Sequence, residues 1–417
     1  LDLDGTLTIA ANGTMSAPRG NLDLSDDLSV TGTFSHNNGK VRAMDTQTIQ
    51  IQAGNATPLT FYNLEANTGW NSLRGTGGIT VLNLLSATTR YNVIRPLDGN
   101  VSLTLGTTSS AGGLTGNAIQ FTSNGTNFAE IKAASSLYPW TAATAPDFDS
   151  GGSGSKVRIA DCDMDPDITT GGGGVTLTLT GDCEFDAVTV SSGDTLDLNG
   201  QRAEFSGAFD LNGSLDLDGS LAIFKHTLDL GGKYPSAGLE SDADTIIIHD
   251  PPSTSEKAIT SLYAQGTFFA KGAESEVTGY AWGGGSTQQP TNIFVGGKLD
   301  CQQNTSSTEN ITVATGGELL GTDRTLTVGG DFTTSGGLLG ASAIDLNGSQ
   351  QHYSTVSAVA VGTNSAWTIE GWMKRDDGSS GNQVFVELKT ASNNNNRVWV
   401  NIDTDDVQML IYSNGGS

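Results

Sequence analysis

Basic residues are scarce in this chain: 20 Lys plus Arg stand against 45 Asp plus Glu over 417 residues, a formal net charge of −25. A surface this acidic repels phosphate backbones, which argues against a nucleic-acid partner. Cysteine is scarcer still. Cys162, Cys183 and Cys301 are too few, and odd in number, to make a disulfide framework. Cys162 and Cys183 stand 21 residues apart, about one coil of a repeat fold, so they are expected on neighbouring rungs as small buried hydrophobes. The four histidines, His36, His226, His249 and His352, are scattered, with no H-E-x-x-H, C-x-x-C or G-x-S-x-G pattern among the 417 residues. Glycine runs such as Gly171 to Gly174 and Gly283 to Gly285 lack the Lys and helix of a phosphate cradle. No catalytic residue is therefore expected. No apolar run is long enough to span a bilayer and no signal peptide is visible, so membrane insertion is not expected. The first residue is Leu1 and not Met, as in a segment of a longer polypeptide.

Glycine, by contrast, is abundant: 55 residues without the every-third-residue period of collagen, beside 36% hydrophobic residues that exclude wholesale disorder. A phrase recurs on this background. It reads LDLDG at 1–5, LDLNG at 196–200, FDLNG at 209–213, LDLDG at 215–219 and IDLNG at 344–348. Apolar residues two apart point to one side of a strand, and Asn-Gly or Asp-Gly supplies the turn. So short a strand cannot bury its apolar side alone, and its recurrence implies coils stacked into a β-solenoid.

Period-two alternation continues through Thr6 to Ile9, Asn21 to Leu24, Leu28 to Phe34 and Thr48 to Ile51, and no stretch carries a 3.6-residue period. The fold class expected is all-β. The pattern loosens over 86–155, where Tyr138-Pro139-Trp140 and the Asp147 to Ser155 run read as a loop and a link. The expected organisation is a solenoid over 1–140, a linker or break at 141–156, a second solenoid segment over 157–340, and a different domain over 341–417.

The stretch from Thr31 to Leu64 sets a Gly-Thr-Phe strand, an Asn-Asn-Gly turn, strands at Lys40 to Met44 and Gln47 to Ile49, and Phe61-Tyr62-Asn63-Leu64 in order. It resembles the coils of right-handed parallel β-helices in large bacterial and phage surface proteins. From Ile344 the text changes: Asp345 to Ser349 and Tyr353, then Trp367 to Lys374, Val384 to Glu387 and Arg397 to Ile402. This order of phrases resembles the start of a concanavalin A-like, laminin-G-like jelly-roll β-sandwich. Such a domain needs more chain than the roughly 74 residues from Ile344 onward, so the expected sandwich is partial. Together the two resemblances imply an extracellular structural and adhesive fibre on a virion or cell surface. The foremost expectation is a phage tail fibre or spike whose lectin-like domain binds a glycan or a surface receptor. The alternatives are a bacterial or archaeal adhesin or filament subunit, and a polysaccharide-degrading tailspike enzyme working with carboxylates on adjacent rungs. Exposed sheet ends imply a homo-oligomer, with a trimer as one form.

Two acidic groups are candidate Ca²⁺ ligands. Asp161, Asp163, Asp165 and Asp167 are spaced by two, and on one strand they would face the same way, a repulsion that a cation or open water must relieve. The run is no EF-hand, because Pro166 and Gly172 stand where Gly and Glu belong; a solvated loop is the competing reading. The jelly-roll resemblance implies a second option at Asp403, Asp405 and Asp406, against an exposed acidic turn. Tyr353, Trp399 and Tyr412 could stack on sugar rings if exposed, with core packing as the alternative. Of Trp367 and Trp372, Trp372 is the one expected in the core.

Overall fold

The computed structural model describes residues 1–44, 49–53, 58–67, 71–74, 78–87, 92–94, 99–116, 119–121, 126–148, 154–233, 237–260, 262–278, 289–320, 326–335, 354–355, 383–390, 393–403 and 406–412. Every element among these residues is a strand. The chain divides into a unit over Leu1–Val359 and a second over Ala360–Ser417, whereas the sequence pattern changes near 341.

The first unit is a parallel β-solenoid spanning residues 2–334. The coils lay their described strands on up to three faces in a fixed order. On face 1, one parallel ladder runs without interruption from Asp2–Leu3 to Phe332–Thr334. Register partners there lie between 18 residues apart, as for Ile293 and Ile311, and 29 apart, as for Leu84 and Gly113. Face 2 follows, with Leu7–Ile9 to Ile119–Phe121 in one sheet and Ile168–Thr169 to Glu318–Leu320 in another. Face 3 includes Val101–Leu105, Thr176–Leu179, Thr195–Asp197, Ser214–Asp216 and Leu239–Glu240.

Faces 1 and 3 continue through the boundary expected at 141–156, and on face 2 a bridge enters the second sheet from within it. Trp140–Ala142 pairs with Cys162–Met164 on face 1, Phe148 bridges Thr170 on face 2, and Phe128–Ala133 pairs with Lys156–Ala160 on face 3. Trp140 is fully buried and its indole Nε1–H donates to the Ala160 carbonyl at 3.1 Å, tying this coil to the next.

Period-two alternation in such short strands sends every second side chain inward, so the core consists of columns, one residue per coil. One column of face 1 reads Trp140, Cys162, Cys183, Ala203, Ala222, Ile247, Phe268, Ile293 and Ile311; its neighbour reads Ala142, Met164, Phe185, Phe205, Phe224, His249, Ala270, Val295 and Val313. Phe205 stacks between Phe185 (centroids 5.5 Å) and Phe224 (4.9 Å), while Phe209 from face 2 meets the Phe205 and Phe224 rings edge-on. Burying each such ring contributes about 2–3 kcal/mol. Cys162 and Cys183 are register partners on adjacent rungs, and all three cysteines are buried free thiols.

The recurring phrase forms the corners. In 196–200 and 215–219 both Leu are buried and the Asp between them points out. Asn199 and Gly200 both take left-handed backbone angles (φ 49° and 73°), and Asn199 Nδ2 donates to the Leu179 carbonyl of the preceding coil at 2.9 Å. At Gly213 the reason is room: a Cβ there would lie 2.4 Å from the Ser191 and Asp194 carbonyl oxygens. The copy at 344–348 lies outside the described residues, as does the Trp367 to Lys374 phrase.

The second unit contains one antiparallel three-stranded sheet, Gln383–Thr390, Asn393–Asp403 and Asp406–Tyr412. It contains the strand expected at Arg397 to Ile402, and the Val384 to Glu387 phrase lies within its first strand.

Candidate functional site

Three groups of carboxylates gather on the outside of the solenoid, each assembled from successive coils. The first contains part of the Asp161 to Asp167 run. Asp161 occupies a left-handed position (φ 53°), Asp163 projects outward between buried Cys162 and Met164, and Asp165 and Asp167 are exposed in the corner before Ile168–Thr169. The strand ends at Met164, so the spacing of two does not line up four carboxylates. Asp163 and Asp165 instead share a groove of about 240 Å³ with Glu184, Asp186 and Glu204. Asp163, Glu184 and Glu204 are register partners on adjacent strands. Burial, then Asp165 and Glu184, push the Asp163 carboxyl above its ordinary range. Asp161 is raised by burial and then by Asp182, with Lys132 opposing. Arg202 reaches Glu184 at 3.2 Å and also contacts Glu204, which Lys225 engages as well. These basic side chains pair with Glu184 and Glu204, whereas among the described residues no basic group acts on Asp163.

The second group lies on face 3, where Thr178, Asp197, Asp216 and Glu240 follow one another in register. Asp216, Asp218 and Glu240 bring carboxylate oxygens within 4.8 Å of one another. Burial, then Asp216, raises Asp197; burial, then Asp216, Asp242 and Glu240, raises Asp218. Asp242 moves the other way, because the Gly219 backbone N–H donates to its Oδ1 at 2.9 Å. None of these aspartates was singled out in the sequence as a ligand. The signal was nonetheless present: LDLNG and LDLDG stand 19 residues apart, one coil, which superimposes their Asp residues.

The third group, on face 2, joins Glu274, Glu276 and Asp300 within 4.8 Å. Lys257 Nζ bridges Glu274 (3.0 Å) and Glu276 (2.5 Å), and Lys298 Nζ reaches Glu274 at 3.3 Å. Asp300 Oδ2 accepts from Gln302 at 2.9 Å, whereas its Oδ1 is buried with no hydrogen-bond partner, and burial followed by Glu276 raises its pKa despite Gln302 and Lys298.

Two buried polar groups are structural. The Gly171 to Gly174 run does cradle an anion, but the anion is the chain's own Asp194, fully buried, which accepts from the Gly172, Gly174 and Val175 amides at 2.8, 3.0 and 2.9 Å. His249 stands in the phenylalanine column, sealed from solvent, with Nδ1 at 2.8 Å from Ser275 Oγ and Nε2 at 3.1 Å from the His226 carbonyl. Donation from Nε2 to that carbonyl leaves Nδ1 to accept from Ser275. Burial pulls the His249 pKa down to about 4.

Of the remaining candidates, Asp403 and Asp406 are register partners where two strands of the second unit meet, and Trp399 and Tyr412 lie on those strands, with their side chains outside the described residues. Tyr353 and Asp405 lie outside them altogether. Compared with family models, curated proteins and solved structures, the chain matches none.

Proposed function

We propose that this chain is a structural and adhesive surface fibre: a stiff shaft of stacked coils carrying a C-terminal domain that binds a glycan or another surface partner. The setting in this reading is extracellular, with a virion appendage such as a tail fibre or spike as the first choice and a cellular adhesin as the second. The observation that carries the reading is the ladder of face 1, unbroken from Asp2 to Thr334. Hydrogen bonds running along the axis, with a column core inside, give stiffness over a long span and leave outer side chains free to vary. The three-stranded sheet at 383–412 fits part of the jelly roll that the sequence resembles. Binding of the full chain to an array of surface glycans tests the adhesive half; signal above buffer controls is expected, and a blank array removes it.

A polysaccharide-cleaving reading has one specific observation in its favour, the solvent-facing Asp197, Asp216 and Glu240 on adjacent rungs. Glycoside hydrolysis uses paired carboxylates, one of them raised in pKa, and burial followed by Asp216 raises Asp197. Incubation with capsular and algal polysaccharides and a reducing-sugar assay separates the readings: sustained release that Asp216→Asn abolishes replaces the fibre with an enzyme.

A further inference from the structure

The outer side of face 1 changes character along the shaft. Its central outward column reads Thr141, Asp163, Glu184, Glu204, Ile223, Ile248, Phe269, Phe294, Thr312 and Thr333. From Leu221 to Val295 the strands LAIF, IIIH, TFFA and NIFV are largely apolar on both sides, with Thr267 and Asn292 the polar outward residues and His249 the polar inward one. Ile246 and Phe294 are 37% and 36% exposed, beside half-buried Leu221, Ile223, Ile248 and Phe269. Parallel sheets that are apolar on both faces are ordinarily covered on both.

We propose that this stripe is an interface with a second copy of the chain, packed antiparallel about a two-fold axis between Ile248 and Phe269. The inference stands on this face and not on the adhesive reading. A glycan fits less well, because Phe269 and Phe294 stack on each other, with centroids 4.8 Å apart and planes 11° apart, so each ring already covers one face of the other. Charge selects the direction. Parallel copies would set Glu184 and Glu204, together with the Arg202 and Lys225 that engage them, against themselves, like charge on like. Antiparallel copies centred on the stripe set Ile223 over Phe294, Glu204 over Thr312 and Glu184 over Thr333, leaving the acidic stretch opposite neutral hydroxyls. The eight rungs from Glu184 to Thr333 cover roughly 34 Å by 13 Å, about 450 Å² per copy at ordinary strand spacing and rise. That is near half of the roughly 800 Å² per partner in a standard interface, so the dimer is weak and concentration-dependent. A net charge of −25 on each copy adds repulsion, which salt screens.

Sedimentation velocity of the full chain over a concentration series, at low and high salt, reads the association directly. The weight-average mass should climb from one chain towards two, at lower concentration in the higher salt, and Ile248→Asn should hold it at one chain with an unchanged melting temperature. Direction is read by mixing Glu204→Cys and Thr312→Cys chains with a bismaleimide of about 10 Å reach, the spacing of packed sheets. The native thiols are buried and stay out of the reaction. Cross-linked dimer in the mixture, well above either variant alone, is expected. A monomer at every concentration, a mixture without cross-link, or a dominant Glu204→Cys homodimer each overturns the proposal.

Discussion

The coils at 162–205 and those at 221–295 share one ladder and one pair of inward columns, yet differ on both sides of the sheet. In the former the outward column is acidic and answered by Arg202 and Lys225, while the inward column closes with stacked phenylalanines. In the latter the outward column is apolar, and the phenylalanines of the inward column give way after Phe224 to a buried histidine, Ala270 and Val295. The backbone is indifferent to the exchange. What it requires is an inward side chain of the right volume in each coil, so outer chemistry changes without a change of fold.

The largest expected effect strikes the first region. Phe205→Ala removes a ring packed against three others and should cost about 3–5 kcal/mol. Because each coil leans mainly on its neighbours, hydrogen exchange should speed up most between 183 and 224 and least near either end of the ladder. A uniform loss along the shaft would mean the two regions are not separable.

The second region should differ from the first in its response to acid. His249 is held neutral at a folded pKa of about 4, against about 6.5 when unfolded. Its contribution is full above pH 6.5; as pH falls the unfolded chain takes up the proton first, and about 3 kcal/mol is lost by pH 4. Carboxyls raised by burial, Asp163, Asp197, Asp218 and Asp300, also take up protons as pH falls, so the measure is the difference between the parent and His249→Leu. The variant should lose the histidine part of the slope, though it leaves the Ser275 hydroxyl and the His226 carbonyl short of a partner. Identical slopes would sink the assignment.

Smaller still is the effect of neutralising the acidic outer column. Glu204→Gln weakens contacts with Arg202 and Lys225, both about a third or more exposed, and should shift stability by less than about 1 kcal/mol, with less effect at high salt. Smallest is Ile248→Asn, on the surface of the apolar stripe: within about 0.5 kcal/mol by chemical denaturation, as for most surface changes.

The in–out pattern of the coils was legible in the phrase itself, as Leu196, Leu198, Leu215 and Leu217 face inward with Asp197 and Asp216 between them. So was the neighbouring placement of Cys162 and Cys183. The partners of a given carboxylate were not. Asp163 meets Glu184 and not Asp167, because its neighbour in space lies one coil away, and coil length varies from 18 to 29 residues. The same variation hid the continuity through 141–156, where a longer, Gly-rich coil reads as a linker although its strands stay in register. His249 was opaque for another reason: the three residues before it, Ile246, Ile247 and Ile248, are all apolar, so alternation gives no sign of which side the ring takes.

The central claim, one rung per coil in a single straight ladder joining both regions, is tested most directly by spin-label distances along the outward column of face 1. Nitroxides at Asp163 paired with Ile248, Phe294 or Thr333 span four, six and eight rungs. At about 4.8 Å per rung the distances should rise as roughly 19, 29 and 38 Å. Distances that fail to increase in proportion to the number of rungs would contradict the solenoid.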